Sequence, residues 1–536
     1  MKLVRSAARF LLGASVILAP TGLGAQQPGR SPGAMVLDYD GPPASCEAFS
    51  ESISLSGLVT ITSATGVPAG PGEAAPGQAA PVLPEHCLVE GVINPRTGFG
   101  GVEYGIGFEI RLPSDWNGRF LLQGGGGLNG SVRPAIGPVA AGSTPALARG
   151  FAVISHDSGH QGAGFDRSFF DDQRAALDFA ESSVPTVATT GKMLTQLYYG
   201  EEPHHSYMTG CSTGGREGML ASQRYPELFD GIIIGAPAMR PGYSNLGIEW
   251  AQMLLNRTLP AGEAGPAGFS ADERATVLGS LLQQCDALDG INDGMIADVA
   301  ACNAQFDPYA MQCQAGSDGE GCLAPDRVNA LRQLMAGPRD ATGRPIYVPI
   351  PWDTGVVYDG PGLPGFLPVG QPSPFGPATT ARELDIDARV HDIRWDAAGR
   401  LTDTPYWTNL STYLGRGSKL MYFHGVSDPW FSAFDTLDYF NRARSANGAE
   451  TWDDAARFYM VPGMLHCRGG NAFDNFDMLG PLVDWVESEE APAAIPARRS
   501  TGGDDTMPLC PWPSSAHYTG GPQLVESSYE CRMPES

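Results

Sequence analysis

Three residues scattered along the chain have the types and surroundings of a nucleophile, an acid and a base. Ser212 stands in Gly210-x-Ser212-x-Gly214, between a short apolar run at 206–208 and a helical stretch reaching Tyr225. This is the strand–turn–helix setting of a nucleophile elbow, in which flanking glycines let the backbone turn sharply and keep the hydroxyl exposed. Asp428 follows the apolar run 420–424, and His466 follows the run 457–461. Grouped together, His466 would take the Ser212 proton and the alkoxide would attack an ester carbonyl. Asp428 would hold the imidazole in the needed tautomer.

Each residue has a plainer reading, because lone aspartates commonly cap turns and lone histidines are commonly satisfied polar groups. Order strengthens the chemical reading: Ser, Asp, His along the chain, each after its own strand, is the α/β-hydrolase sequence of events. The cysteines add to it, since Cys211 directly precedes Ser212 and Cys467 directly follows His466. A disulfide holds two Cα atoms roughly 4.4–6.8 Å apart, so bridging this pair would bring hydroxyl and imidazole side by side. Other partners for these two sulfurs, or free buried thiols, stay open at this stage.

The elements that must position these groups read as a sheet crossed by helices. Residues 108–112, 119–123 and 151–155 are short apolar runs ending in glycine or polar residues. Residues 188–199 are apolar at helical spacing, and 231–235 read as a strand buried on both faces. Such alternation predicts an α/β fold with a mostly parallel sheet flanked by helices, the α/β-hydrolase fold. Glycine- and proline-rich stretches at 26–45 and 64–82 read as linker or loop. The strand–helix pattern breaks after Ala236 and resumes near Leu420, which predicts an inserted lid. The expected organisation is a leader over 1–25, a catalytic domain in two parts (26–236 and 406–536), and the lid over 237–405.

Composition bounds the setting. Hydrophobic residues make up 42% and charged residues 17% of the 536, a globular balance. Lys2, Arg5 and Arg9, then the apolar stretch 10–18 and Ala25, read as a cleavable signal peptide, too short and too interrupted to anchor in a bilayer. The ten cysteines are an even count that suits an oxidising compartment, so a secreted or periplasmic protein is expected. No Cys-x-x-Cys or Cys/His cluster suggests zinc. A net charge of −25 repels phosphate backbones and anionic lipid, which disfavours nucleic-acid and membrane partners.

A second chemical feature lies at 285–295, where Asp286, Asp289 and Asp293 fall within eight positions beside Gly290 and Gly294. Hard divalent cations take several oxygen ligands, and glycine turns let carbonyls join carboxylates. The spacing is not that of an EF-hand, and a solvated acidic turn is the plainer reading.

Cys211–Ser212–Thr213–Gly214–Gly215–Arg216, Ser427–Asp428 and His466–Cys467 together resemble the signature of the tannase and feruloyl esterase family, and the likeness extends over most of the chain. The resemblance implies an α/β-hydrolase fold with catalytic Ser212, Asp428 and His466. It implies the bridges Cys46–Cys87, Cys211–Cys467, Cys285–Cys302, Cys313–Cys322 and Cys510–Cys531. It also implies a structural Ca²⁺ in the lid, held by the side chains of Asp286, Asp289 and Asp293 and the carbonyls of Ile291 and Met295. Thr213 is expected to donate one oxyanion N–H. The second is expected from the loop Gly124–Gly127, with Gly126 first and Gly125 next; a flexible glycine loop is the alternative. Loss of one such donor typically costs about 3–4 kcal/mol of transition-state stabilisation.

Family members cleave small aromatic esters, galloyl, feruloyl and terephthaloyl monoesters among them, so a small aromatic ester is the expected substrate. Trp352, Phe366, Trp407 and Trp430 are candidate pocket residues, although aromatics equally often serve only packing. The family's terephthalate-monoester enzymes carry an arginine in the lid, and residues 351–370 contain none. Galloyl and cinnamoyl esters therefore come first. A serine peptidase or lipase on the same fold, and a non-catalytic calcium-braced binding protein, are the rival readings.

Overall fold

The computed structural model describes residues 36–39, 41–55, 57–72, 80–263, 265–316, 319–357 and 379–534. The expected leader and Phe366 lie outside these residues. Nine strands form the central sheet: β1 (Val59–Val67), β2 (His86–Thr97), β3 (Glu103–Pro113), β4 (Arg119–Gln123), β5 (Ala152–His156), β6 (His205–Cys211), β7 (Gly231–Gly235), β8 (Lys419–Gly425) and β9 (Ala456–Val461). Their spatial order is β9-β8-β7-β6-β4-β5-β3-β2-β1. All pairings from β9 to β5 are parallel, and β5–β3, β3–β2 and β2–β1 are antiparallel. This mostly parallel sheet flanked by helices is an α/β-hydrolase-like fold.

The reading of 64–82 as a loop is corrected at its start. Val59–Val67 is a strand bonded along β2, and Gly70–Pro71 pairs with Val82–Leu83. Glycines and prolines hid a strand whose partner stands some twenty residues downstream.

Helices cover both faces. On one side α1 (Ser183–Tyr199) and α2 (Thr213–Arg224) bury Val187, Leu194, Met219 and Leu220 with Ile232 and Ile234 of β7. On the other, α3 (Leu479–Ser488) buries Leu479, Leu482 and Trp485 with Ile233. Successive side chains of β7 thus feed opposite cores, which explains an uninterrupted isoleucine run.

Between β7 and β8 the described residues form helices and turns with an apolar cluster of their own, drawn from Ile248 to Val356. Two disulfides brace this insertion, Cys285–Cys302 and Cys313–Cys322. The other bridges are Cys46–Cys87, Cys211–Cys467 and Cys510–Cys531, so all five family-implied pairings are present. No helix among the described residues is long and apolar enough to cross a membrane.

At the C-terminal end of β5, buried Asp157 accepts N–H bonds from Gly107 (3.0 Å) and Gly159 (2.9 Å). Burial outweighs these bonds and pushes its pKa up from 3.8 to about 7. A carboxylate raised in this way contributes its stability fully below its unfolded pKa and loses it as pH rises through the folded one. Stability linked to Asp157 should therefore fall between about pH 4 and pH 7. Asp157→Asn keeps the accepting oxygen and removes the titration. Denaturant midpoints should decline less for the variant than for the parent across that window, and parallel declines would refute the assignment.

Candidate active site

Ser212 lies between β6 and α2 with φ 64° and ψ −120°, a conformation L-residues rarely adopt. Its backbone is held from three sides: its N–H donates to Gly235 O (3.0 Å), and its carbonyl accepts from Arg216 (2.9 Å) and Ala238 (3.0 Å). The elbow leaves no room beside it. A Cβ on Gly210 would come within 2.4 Å of the Gly214 backbone, which is the physical reason for glycine there.

Asp428 follows β8 by three residues and His466 follows β9 by five. Asp428 Oδ2 lies 2.7 Å from His466 Nδ1, while Oδ1 accepts from the N–H groups of Trp430 (2.8 Å) and Phe431 (3.1 Å). Burial alone would raise its pKa, but the His466 charge and hydrogen bonds from His424 and His466 together hold the carboxyl well below the usual carboxylate range. With Nδ1 donating to that carboxylate, His466 Nε2 is left as the acceptor. That nitrogen is buried and has no hydrogen-bond partner among the described residues. The Cys211–Cys467 bridge, with Cα atoms 6.1 Å apart, joins the residue before Ser212 to the residue after His466. The bridge therefore joins the loop bearing Ser212 to the loop bearing His466, whose imidazole is bonded to Asp428.

Among the described residues, the N–H of Thr213 has no protein partner, and neither has that of Gly126. Gly125 differs from expectation: its N–H donates to Glu217 Oε2 at 2.9 Å, which removes it as an oxyanion donor. The Thr213 hydroxyl donates to Gly127 O, fastening the glycine loop to the elbow.

Sequence reasoning passed over four residues around this centre. His424 donates from Nε2 towards Asp428 Oδ2 (3.1 Å) and Phe431 O (3.1 Å), while its Nδ1 accepts from Thr436 Oγ1 (2.8 Å). It is the penultimate residue of β8, four residues before Asp428, a spacing that could have signalled it. Asp353, from the insertion, accepts from the Ser427 hydroxyl (2.6 Å) and the Gly463 N–H (2.8 Å), tying the insertion to both the acid and the base loops. Phe165 meets Trp430 edge-on at 6.4 Å, and Trp430 in turn lies 4.5 Å from the His466 ring. Glu217, fully buried on α2, is the fourth.

Of the named aromatics among the described residues, only Trp430 is seen against His466. Trp352 packs on Phe306 (4.7 Å) in the insertion core, and Trp407 is 59% exposed with its indole N–H on Asn409 O. Both are placed for packing or surface roles.

In the acidic loop, Asp286 accepts from Asp293 and Gly294 N–H, Asp289 from Ile291 and Ala297, and Asp293 from Met295. Asp289 is pushed up to about 7 by burial and then by its two carboxylate neighbours. Asp293 Oδ2 is buried without a partner, which fits a cation-seeking oxygen. The three carboxylates are nonetheless turned onto backbone donors, and no group of three His, Cys, Asp or Glu converges as a metal cage among the described residues.

The sequence profile described as "Tannase and feruloyl esterase" matches residues 87–357 and 384–532. "Mono(2-hydroxyethyl) terephthalate hydrolase" of Piscinibacter sakaiensis is 36% identical over 535 residues, covering 86% of this chain and 87% of its own. "Probable feruloyl esterase B" of Aspergillus clavatus is 30% identical, covering 80% and 83%. Among solved structures, feruloyl esterase B from Aspergillus oryzae superposes with TM-score 0.73 at 24% identity, over 91% of this chain and 99% of its own. Tannin acyl hydrolase from Aspergillus niger follows at 0.69 and 21%, over 92% and 93%. Those two share the fold, and the profile and the curated relatives carry the assignment: the chain belongs to the tannase and feruloyl esterase family of carboxylic ester hydrolases.

Proposed function

We propose that the protein is an exported serine esterase acting on small aromatic esters through an acyl-enzyme. The observation that carries the reading is the disulfide stapling the loop of Ser212 to the loop of His466, an imidazole that is itself bonded to Asp428. His466 Nε2 removes the Ser212 proton as the hydroxyl attacks the ester carbonyl, and it later returns the proton to the leaving alcohol. Asp428 holds the tautomer and offsets the imidazolium charge. The N–H groups of Thr213 and Gly126 receive the oxyanion. Water then repeats the cycle on the acyl-serine. Five disulfides support an oxidising destination, secreted or periplasmic.

Aromatic preference is supported by the relatives' names and by the aromatic wall of Phe165 and Trp430 beside His466. Galloyl and cinnamoyl esters remain ahead of terephthalate monoesters, because residues 351–370 hold no arginine for a substrate carboxylate. In the acidic loop, Asp286, Asp289 and Asp293 with the carbonyls of Ile291 and Met295 are the proposed holders of a Ca²⁺. Its contribution would be to offset carboxylate repulsion and stiffen the insertion.

Three outcomes are expected. A fluorophosphonate should modify Ser212 in the folded protein, and Ser212→Ala should lose on the order of 10⁶-fold in kcat with an unchanged melting curve. Absence of an adduct would favour a non-catalytic binding protein. Methyl gallate or methyl ferulate should turn over faster than mono(2-hydroxyethyl) terephthalate, long-chain acyl esters or peptides, and Phe165→Ala should raise KM for the aromatic esters. A preference for the terephthalate monoester, or for lipid or peptide substrates, would reverse the ranking. Excess chelator should lower Tm, with Ca²⁺ restoring it. An unchanged Tm together with no metal on elemental analysis would return 285–295 to an acidic turn.

A further inference from the structure

Behind the glycine loop lies a buried polar cluster that the chemistry above does not use. Glu217 stands on α2, five residues beyond Ser212, and is fully buried. Every group facing its carboxyl is a donor. Oε2 accepts from Gly125 N–H (2.9 Å), and Oε1 accepts from Asn129 Nδ2 (3.1 Å) and Ser158 Oγ (3.3 Å). His156 Nε2 lies 3.8 Å from Oε2. Its Nδ1 accepts the Ser158 N–H (3.1 Å), so Nε2 carries the ring proton, and burial lowers its pKa so that the ring stays neutral. The adjacent Arg216 faces elsewhere, donating to Phe179 O and Ala180 O.

What this cluster grips is the backbone of the loop. The peptide unit joining Gly124 to Gly125 is held through its N–H by Glu217. The next unit, joining Gly125 to Gly126, is held through its carbonyl, which accepts from Gly214 N–H at 3.0 Å. In a trans peptide the C=O and N–H point in opposite directions. With Gly125 O fixed on the elbow helix, the Gly126 N–H must point away from it, and it carries no partner among the described residues. A hydrogen bond to a buried carboxylate is charge-assisted and stronger than the loop could obtain from water. There is also no slack in the packing: a Cβ on Gly124 would sit 2.7 Å from Gly214 Cα, and one on Gly125 would sit 2.1 Å from the Asn129 amide.

We infer that Glu217 is the positioning residue of the oxyanion site, fixing the Gly124–Gly125 peptide plane beside the plane that Gly214 holds, so that the Gly126 N–H is preorganised for the transition state. The inference rests on the serine-esterase reading above. Its effect passes through Gly125 and Gly126 and not through contact with substrate. Preorganised donors act on the charge that develops during attack, so their loss shows in kcat and leaves ground-state binding alone.

The test compares Glu217→Gln, Glu217→Ala and Asn129→Ala in the full disulfide-bonded chain. Glutamine keeps one oxygen for Gly125 but turns an NH₂ towards donors; alanine removes both acceptors. Expected are losses in kcat of about 10-fold for Glu217→Gln and about 100-fold for Glu217→Ala, with KM within about twofold. An aryl boronic acid, whose tetrahedral adduct places an oxygen in the oxyanion site, should lose affinity in parallel, while the product carboxylic acid should bind as before. If Glu217→Ala does not fold, Asn129→Ala should give the same pattern in smaller measure. Wild-type kcat and boronate affinity in Glu217→Gln would overturn the inference. So would equal losses for boronate and product acid, which would mark a general packing role. Failure of the esterase reading itself is told apart by the parent enzyme, which would then neither turn over ester nor bind boronate.

Discussion

The active centre depends on one covalent constraint: a sulfur–sulfur bond between residues 256 positions apart, flanking the proposed nucleophile on one side and its base on the other. Serine and histidine are carried by different loops at the end of the sheet, and loops are where chains are least ordered. Closing so long a loop covalently removes conformational freedom from the unfolded chain worth on the order of 5 kcal/mol in the chain-entropy account. The bond also sets the spacing of two loops in a way that packing alone would leave soft. At its two ends, Ser212 beside Cys211 has φ 64° and Cys467 itself has φ 66°, backbone conformations that a surrounding structure must impose.

The centre was readable to the extent that chemistry constrains local sequence. The elbow needs small residues at fixed offsets from Ser212, and the acid and base each need a strand end, so short windows around Asp428 and His466 carry their signal. The unbroken isoleucines of β7 likewise announce a strand buried on both faces. What stayed hidden is contributed by pairing across distance. The strand Val59–Val67 is made by its ladder with β2 and not by its composition. Four glycines in a row look alike in sequence, and only the reach of Glu217 across 92 positions separates Gly125, whose N–H is engaged, from Gly126, whose N–H is not. Asp353 is silent for the same reason, because its meaning lies in Ser427 and Gly463.

Asp428 has two imidazoles on one oxygen. His466 approaches Oδ2 at 2.7 Å and His424 at 3.1 Å, while two backbone N–H groups occupy Oδ1. A buried carboxylate with all its lone pairs engaged has a fixed orientation as well as a fixed charge. His424 therefore closes the far side of the acid, anchored by Thr436 on the following helix (Ala433–Asn447). Polar groups on three segments are satisfied at once, which is how a dry site keeps an ionised group without water.

Among the polar contacts between the insertion and the rest of the chain is a small joint at Asp353, which touches the segments bearing both Asp428 and His466, and the Gly355 N–H returns a bond to Ser427 Oγ at 2.9 Å. For anyone grafting substrate preference between relatives, this joint marks where the seam can be cut. A foreign insertion transplanted without its own counterpart of Asp353 and Gly355 would leave the Ser427 hydroxyl and the Gly463 amide without their shared acceptor in a buried setting, and the loops bearing Asp428 and His466 would lose that tie before any new pocket was tried.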